Sequence, residues 1–296
     1  MQPPYVIITP ANNEEKYIKN TLESVIAQTV KPSKWIIVDD GSVDRTSQIV
    51  RDYLPAHDFL QLLHVDRSSG RSFSRKVDAF NAGLRLLNNV KYSYIGNLDA
   101  DVSFAPEYFE HILAEFHKDP KLGIAGGIVY TTVGQAFVTT DTNLGSVGGA
   151  VQLFRRNCFE QIGGYLPLSH GGIDAAAEIL ARMKGWKVRK FPDNKVWEYR
   201  RTGSVGHGTL TSMCRLGVRF HTLGWSTGFF ILRSISKVRC GPSLFGSAAM
   251  LLGFLWARLT RCPLSLPPEA VSYLRSEQAR KLRGWFLGQA QREVDS

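Results

Sequence analysis

Cysteine is scarce: Cys158, Cys214, Cys240 and Cys262 are the only four in 296 residues, and none forms a Cys-x-x-Cys pair. That spacing argues against a zinc site and against a disulfide framework, and it makes a reduced, cytosolic setting the simpler expectation. The N-terminus lacks a basic segment followed by a long apolar one, so no signal peptide is expected. No Gly-x-Gly-x-x-Gly follows the first apolar run, which argues against a dinucleotide-dependent oxidoreductase. No nucleic-acid-binding motif is present. Acidic residues are rare in one region only. Residues 1–199 hold 22 Lys+Arg and 22 Asp+Glu, whereas residues 200–296 hold 14 and 4. The whole net charge of +10 therefore lies in the last third. Such asymmetry points to an anionic partner there, either a membrane surface or phosphate-bearing substrates.

What is present is enough for a substantial core, with 44% hydrophobic and 21% charged residues. Short apolar runs at Val6–Thr9, Lys34–Val38, Leu60–Val65 and Tyr92–Ile95 alternate with helical periodicity. The first helix carries Tyr17, Ile18, Leu22, Val25 and Ile26, and a third spans roughly Ser74 to Leu87. This alternation predicts an α/β fold with a mostly parallel sheet and helices on both faces. Ligands of such sheets bind beyond the carboxyl ends of the strands. Thr9–Glu14, Asp39–Ser42 and Asp99–Asp101 all fall at those ends, so three polar or acidic clusters converge on one rim. Strand alternation puts Asp99 and Asp101 on one side of an extended segment, within reach of one hard cation such as Mg²⁺ or Mn²⁺. Taken alone, the pair is weak evidence and reads more simply as two solvated acids at a strand end.

Further along, Pro106 to Lys118 reads as a helix, with Phe109, Ile112, Leu113 and Phe116 as its apolar stripe. Gly123–Tyr130 and Val151–Phe154 read as strands. The polar stretch Thr139–Ala150 is either an acceptor-facing loop or an ordinary surface loop. Gly171-Gly172-Ile173-Asp174 leads into a helix over Ala175–Lys184, with Glu178 one turn after Asp174 on the same face.

Pro10-Ala11-Asn12-Asn13-Glu14-Glu15, Val38-Asp39-Asp40-Gly41-Ser42 with Asp44, and Leu98-Asp99-Ala100-Asp101 together resemble the signature of family 2 glycosyltransferases of the GT-A fold. Lys76 with Asn81-Ala82-Gly83, and Gly163-Gly164-Tyr165, fit the same pattern. The resemblance covers roughly residues 3–200. It implies a GT-A, Rossmann-like sheet and a nucleotide-diphosphate-sugar donor, UDP- or GDP-linked, whose sugar passes to a hydroxyl acceptor. It further implies that Pro10, Asn13 and Glu14 line the nucleotide pocket and that Asp40 contacts the base or ribose. Asp99 is implied to sit near the ribose and share the metal, and Asp101 to hold the Mn²⁺ or Mg²⁺ that bridges the diphosphate.

Other residues keep two readings. Asp39 either touches the donor or only shapes the turn before Gly41. Arg71, Arg75 and Lys76 meet phosphate or lie on a solvated helix face. Asp174 matches the general base of inverting members, although Ile173 stands where the family carries Glu; the plainer alternative is a helix cap. Arg200 and Arg201 can fold over the diphosphate, since guanidinium matches phosphate in a bidentate way. His207 either completes the metal shell or is not a ligand.

In the tail, Thr222–Leu232 and Cys240–Ala257 carry no Asp, Glu, Lys or Arg. The second run approaches spanning length but is diluted by Ser and Gly. Arginines and lysines flank both runs, which fits helices lying on an anionic membrane surface at the inner face of the cell membrane. A buried hairpin is the alternative. The expected division is 1–207 for the transferase domain and 208–296 for a basic, partly apolar helical extension. The expected activity is metal-dependent, inverting sugar transfer to a lipid-linked, polysaccharide or other acceptor. A sugar-phosphate nucleotidyltransferase and a non-catalytic scaffold of the same fold are the rivals.

Overall fold

The computed structural model describes residues 3–66, 74–133, 136–139, 143–200, 209–237 and 244–294. The chain divides into two compact units: Met1–Ser169 with Ile173–Thr202, and His170–Gly172 with Gly203–Ser296.

In the first unit, β1 (Tyr5–Ala11), α1 (Ile18–Ile26), β2 (Lys34–Asp39), α2 (Thr46–Tyr53), β3 (Leu60–His64), α3 (Ser74–Arg85) and β4 (Tyr94–Leu98) alternate as expected. Next come β5 (Val102–Phe104), α4 (Tyr108–Lys118), β6 (Leu122–Val133), β7 (Ala136–Val138) and β8 (Val151–Arg155). The unit closes with α5 (Arg156–Gln161), α6 (Ile173–Met183) and β9 (Lys187–Glu198). The strands lie in the order β3-β2-β1-β4-β8-β6-β9-β5, with β7 paired to β6. From β3 to β4 every pairing is parallel. Beyond β4 the sheet is mixed: β8 runs against both β4 and β6, β6 is parallel to β9, and β5 runs against β9.

β4 and β5 stand four strands apart in this order, about 19 Å along a flat sheet. Asp99, Ala100 and Asp101 alone join them, and four Cα steps reach at most about 15 Å. The sheet must therefore curl, and the Asp-x-Asp segment sits where the curl brings its middle and its far end together. Aromatic packing fills the interior: Tyr5, Trp35, Tyr94, Phe104, Tyr108, Phe109 and Phe116 are all buried in one cluster. Each helix turns its apolar stripe onto the sheet, as Ile18, Leu22 and Val25 do from α1.

The second unit is helical: α7 (Thr209–Thr222), α8 (Thr227–Lys237), α9 (Leu244–Leu259) and α10 (Pro268–Val294). Phe230 of α8 stacks on Phe254 of α9 with ring centroids 4.2 Å apart, and Met250 completes a small buried centre. α7 and α9 cross backbone to backbone. A Cβ on Gly217 would overlap the Met250 carbonyl, and one on Gly253 would overlap that of Cys214, so only glycine fits either position. Gln278 of α10 accepts the Ser226 N–H at 2.9 Å, just ahead of α8. No helix among the described residues is long and apolar enough to cross a membrane.

Candidate active site

Two loops at the strand ends are laced together. Asn13 takes φ +57°, a left-handed conformation that asparagine tolerates better than most residues. There its N–H donates to Ser42 Oγ at 3.0 Å, and its Oδ1 accepts the Val43 N–H at 2.9 Å. Glu14 N–H donates to Thr46 Oγ1 at 2.8 Å, Glu15 N–H to Asp44 Oδ2 at 3.1 Å, and Asn12 Nδ2 to the Asp40 carbonyl at 2.8 Å. Pro10 stands opposite Val38 near the end of the β1–β2 ladder, and Asp40 is buried and donates its N–H to the Ala11 carbonyl. Asp39 is fully buried, and its carboxylate accepts from Ser42 N–H, Ser47 Oγ and His64 Nδ1. Burial alone would raise its pKa, but these donors outweigh it and hold the group below the usual carboxylate range. Asp39 is thus engaged in holding the turn.

Beside this lacing lies an acidic centre. Lys76 of α3 pairs with Asp99, and Arg200, just past β9, reaches both Glu14 and Asp101, the latter through Nε at 3.3 Å from Oδ2. The Asp101 carboxyl is pushed up to about 7, first by burial and then by the neighbouring charges of Asp99 and Glu14, with Arg200 pulling the other way. Burial also raises Glu14, partly offset by Arg200. Two buried acceptor oxygens here, Glu14 Oε2 and Asn97 Oδ1, have no hydrogen-bond partner among the described residues. Buried acceptors without donors, together with three carboxylates set against Lys76 and Arg200, suit an oxygen-seeking divalent cation or the hydrogen-bonding groups of a ligand. Among the described residues no three His, Cys, Asp or Glu side chains form a complete ligand set. A cation here would take its remaining ligands from a phosphate or from water.

A third element faces this centre. The Gly149 carbonyl accepts from Asn97 Nδ2 at 2.8 Å and lies 3.5 Å from Lys76 Nζ. A Cβ on Gly149 would stand 3.3 Å from Asp174 Oδ2, so the loop before β8 runs close against the carboxylate in the first turn of α6. Buried Glu178, one turn further along α6, fastens that loop. It accepts Val147 N–H at 2.5 Å and Ser146 Oγ at 3.2 Å, with Arg182 Nη1 at 3.4 Å. Burial pushes its pKa up to about 7 against the pull of Arg182.

The fold therefore gathers Asn13, Glu14, Lys76, Asp99, Asp101 and Arg200 at the strand ends of the first unit, and lays Asp174 against the Gly149 loop. Arg71, Arg201 and His207 lie outside the described residues. Pattern reading gave no site role to Asn97 or Glu178, and took Gly149 only within the acceptor-facing or surface-loop reading of Thr139–Ala150. Gly148-Gly149 before a strand, and a glutamate on an otherwise apolar helix face, were the available signals.

The sequence model of glycosyl transferase family 2 matches residues 6–177. A poly-beta-1,6-N-acetyl-D-glucosamine synthase from Staphylococcus epidermidis is 33% identical over 115 residues, which is 39% of this chain and 26% of that protein. The Staphylococcus aureus (strain COL) synthase is 25% identical over 204 residues, 62% of this chain and 47% of the relative. The chain thus spans less than half the length of these curated relatives. Among solved structures, the mannosyltransferase PcManGT from Pyrobaculum calidifontis, in complex with GDP-Man and Mn²⁺, shares the fold at a TM-score of 0.57 and 19% identity, covering 98% of this chain and 85% of that one. Staphylococcus aureus TarS 1-349 in complex with UDP-GlcNAc gives 0.55 and 16%, over 92% and 78%. With more than half of its residues matched by that model, this chain belongs to glycosyl transferase family 2.

Proposed function

We propose that this chain transfers a sugar from a nucleotide-diphosphate donor to a hydroxyl acceptor, with inversion and with a divalent cation at Asp101 and Asp99. The observation that carries this reading is the acidic centre, where among the described residues Glu14, Asp99 and Asp101 outnumber Lys76 and Arg200 and two buried acceptor oxygens lack donors. Mn²⁺ or Mg²⁺ bound there would stabilise the charge that builds on the leaving diphosphate.

The chain's own residues supply the rest. Pro10, Asn13 and Asp40 shape the edge that receives base and ribose. Lys76 and Arg200, and Arg201 by its place in the sequence, bring positive charge to the phosphates. Asp174 takes the proton of the acceptor hydroxyl as that oxygen bonds to the anomeric carbon and the bond to the diphosphate breaks. His207 is retained as a candidate metal ligand, and Asp39 as support for the donor edge.

Similarity to the poly-beta-1,6-N-acetyl-D-glucosamine synthases makes UDP-N-acetylglucosamine the first donor to test. The basic second unit supports a lipid-linked or growing polysaccharide acceptor met at an anionic membrane, with the chain peripheral on its cytoplasmic face. The test is thermal stabilisation by UDP-, GDP- and dTDP-sugars with Mn²⁺, repeated with EDTA. One donor should raise the melting point only when metal is present. Shifts from none of them would overturn the reading.

A further inference from the structure

α9 is apolar on every side, yet among the described residues only one side is covered. Met250, Gly253, Phe254 and Ala257 are buried within the helical unit. On the opposite side Phe245, Leu252, Leu255, Trp256 and Leu259 are 77%, 66%, 39%, 57% and 82% exposed. Their spacing of seven, three, one and three residues keeps them on one stripe, about 21 Å long at 1.5 Å per residue. Single exposed leucines are ordinary, but five large apolar side chains aligned on one helix are not. A helix of this composition is expected where both faces leave water.

We propose that the outer face of α9 is the surface by which this chain docks on an anionic lipid membrane. The inference rests on the membrane reading given above and assigns it a face. Charge decides between occupants. No Asp or Glu occurs between Glu198 and Glu269, and residues 203–296 carry 12 Lys+Arg against 4 Asp+Glu. Arg258 and Arg261 stand exposed at the C-terminal end of the stripe. A second copy would bring the same positive charge to the face, whereas an anionic leaflet brings the opposite one. The glycine crossing of α7 and α9 supports the same conclusion independently. Close packing through small residues is how helices associate where the surroundings are already apolar. With the stripe in the acyl boundary and the arginines at headgroup level, α9 lies in the interface without spanning it.

The experiment uses the full chain in flotation with vesicles of phosphatidylcholine, alone or with phosphatidylglycerol. Wild type should bind the phosphatidylglycerol vesicles. Leu252→Ser with Leu259→Ser, both at exposed positions that the fold does not need, should weaken binding by about tenfold or more. Leu86→Ser, at an exposed position of the first unit, should leave it unchanged. If the double variant floats like wild type, the α9 face is wrong while the membrane reading stands. If wild type binds neither vesicle and sediments as a dimer that the double variant dissociates, a second copy covers the face and both fall. Equal binding to phosphatidylcholine alone would overturn the electrostatic part.

Discussion

Glu178 offers a quantitative test because its side chain is buried and its partners are few. It faces the Val147 N–H, the Ser146 hydroxyl, Arg182 and, one turn back, Asp174. Its folded pKa of about 7 lies above the ordinary glutamate value, so between roughly pH 4.5 and 7 the folded chain binds a proton that the unfolded chain has released. Stability from this group is therefore complete at the acid end and is lost as pH rises through 7. A shift of that size corresponds to a loss on the order of 3 kcal/mol across the window. Glu178→Gln keeps the shape and an acceptor oxygen for Val147 but cannot ionise, so the loss should be missing. At about 2–4 °C per kcal/mol for a domain of this size, the melting point of the variant relative to wild type should rise by about 6–12 °C between acid pH and pH 8. The assay is thermal unfolding in one buffer series from pH 5 to 8, read as the difference between the two proteins so that every other titration cancels. Glu178→Ala behaves differently. It strands the buried Val147 N–H and should cost about 1–3 kcal/mol at every pH. Parallel melting curves for wild type and Glu178→Gln would refute the assignment.

Other substitutions separate binding from chemistry. Asp101→Asn should abolish metal-dependent stabilisation by the donor, yet in EDTA it should melt higher by the equivalent of about 1–2 kcal/mol, since it removes one of three crowded carboxylates; a lower melting point would contradict the crowding. Asp174→Ala should spare donor binding, measured by calorimetry, and remove transfer, so normal turnover in that variant would rule out Asp174 as the base. Arg200→Ala should weaken nucleoside diphosphate binding about tenfold by removing a charged phosphate partner, and unchanged affinity would leave Arg200 with Glu14 and Asp101 alone. Gly253→Ala drives a methyl into the Cys214 carbonyl and should cost about 3 kcal/mol or more, seen as early loss of helical signal on heating.

The parallel half of the sheet was legible because its strands are continuous apolar runs that each end in polar residues. That pattern alone assigned Asn13, Glu14, Asp40, Asp99 and Asp101 to one rim. The mixed half was not, because β8 and β9 owe their direction to partners far away in sequence, and no local property of Val151–Arg155 says that it opposes β4. Inside the site, residue type predicted which groups gather there but not how their hydrogen bonds are distributed. Asp39 and Asp40 are neighbours of identical chemistry. Only the fold shows that Asp39 is held by Ser42, Ser47 and His64. Arg200 follows the same logic. As a sequence feature it is a phosphate-seeking cation in a polar stretch, and in the fold it rests on Glu14 and Asp101.

Under the proposed function, this placement of Arg200 on Glu14 and Asp101 would join donor binding to the charge balance of the site. A guanidinium that neutralises Glu14 and Asp101 before any ligand arrives lowers the repulsion stored among the carboxylates. A divalent cation at Asp101 would supply that neutralisation itself and free the arginine for the diphosphate. Mn²⁺ and nucleotide should therefore bind cooperatively, each more tightly in the presence of the other by the same factor. In Arg200→Ala that factor should shrink from both sides. Mn²⁺ alone should bind several-fold more tightly, having no internal rival, and nucleotide should gain less from it. Paired titrations of Mn²⁺ with and without UDP measure both. Equal coupling in wild type and variant would mean that Arg200 and the cation do not share Asp101.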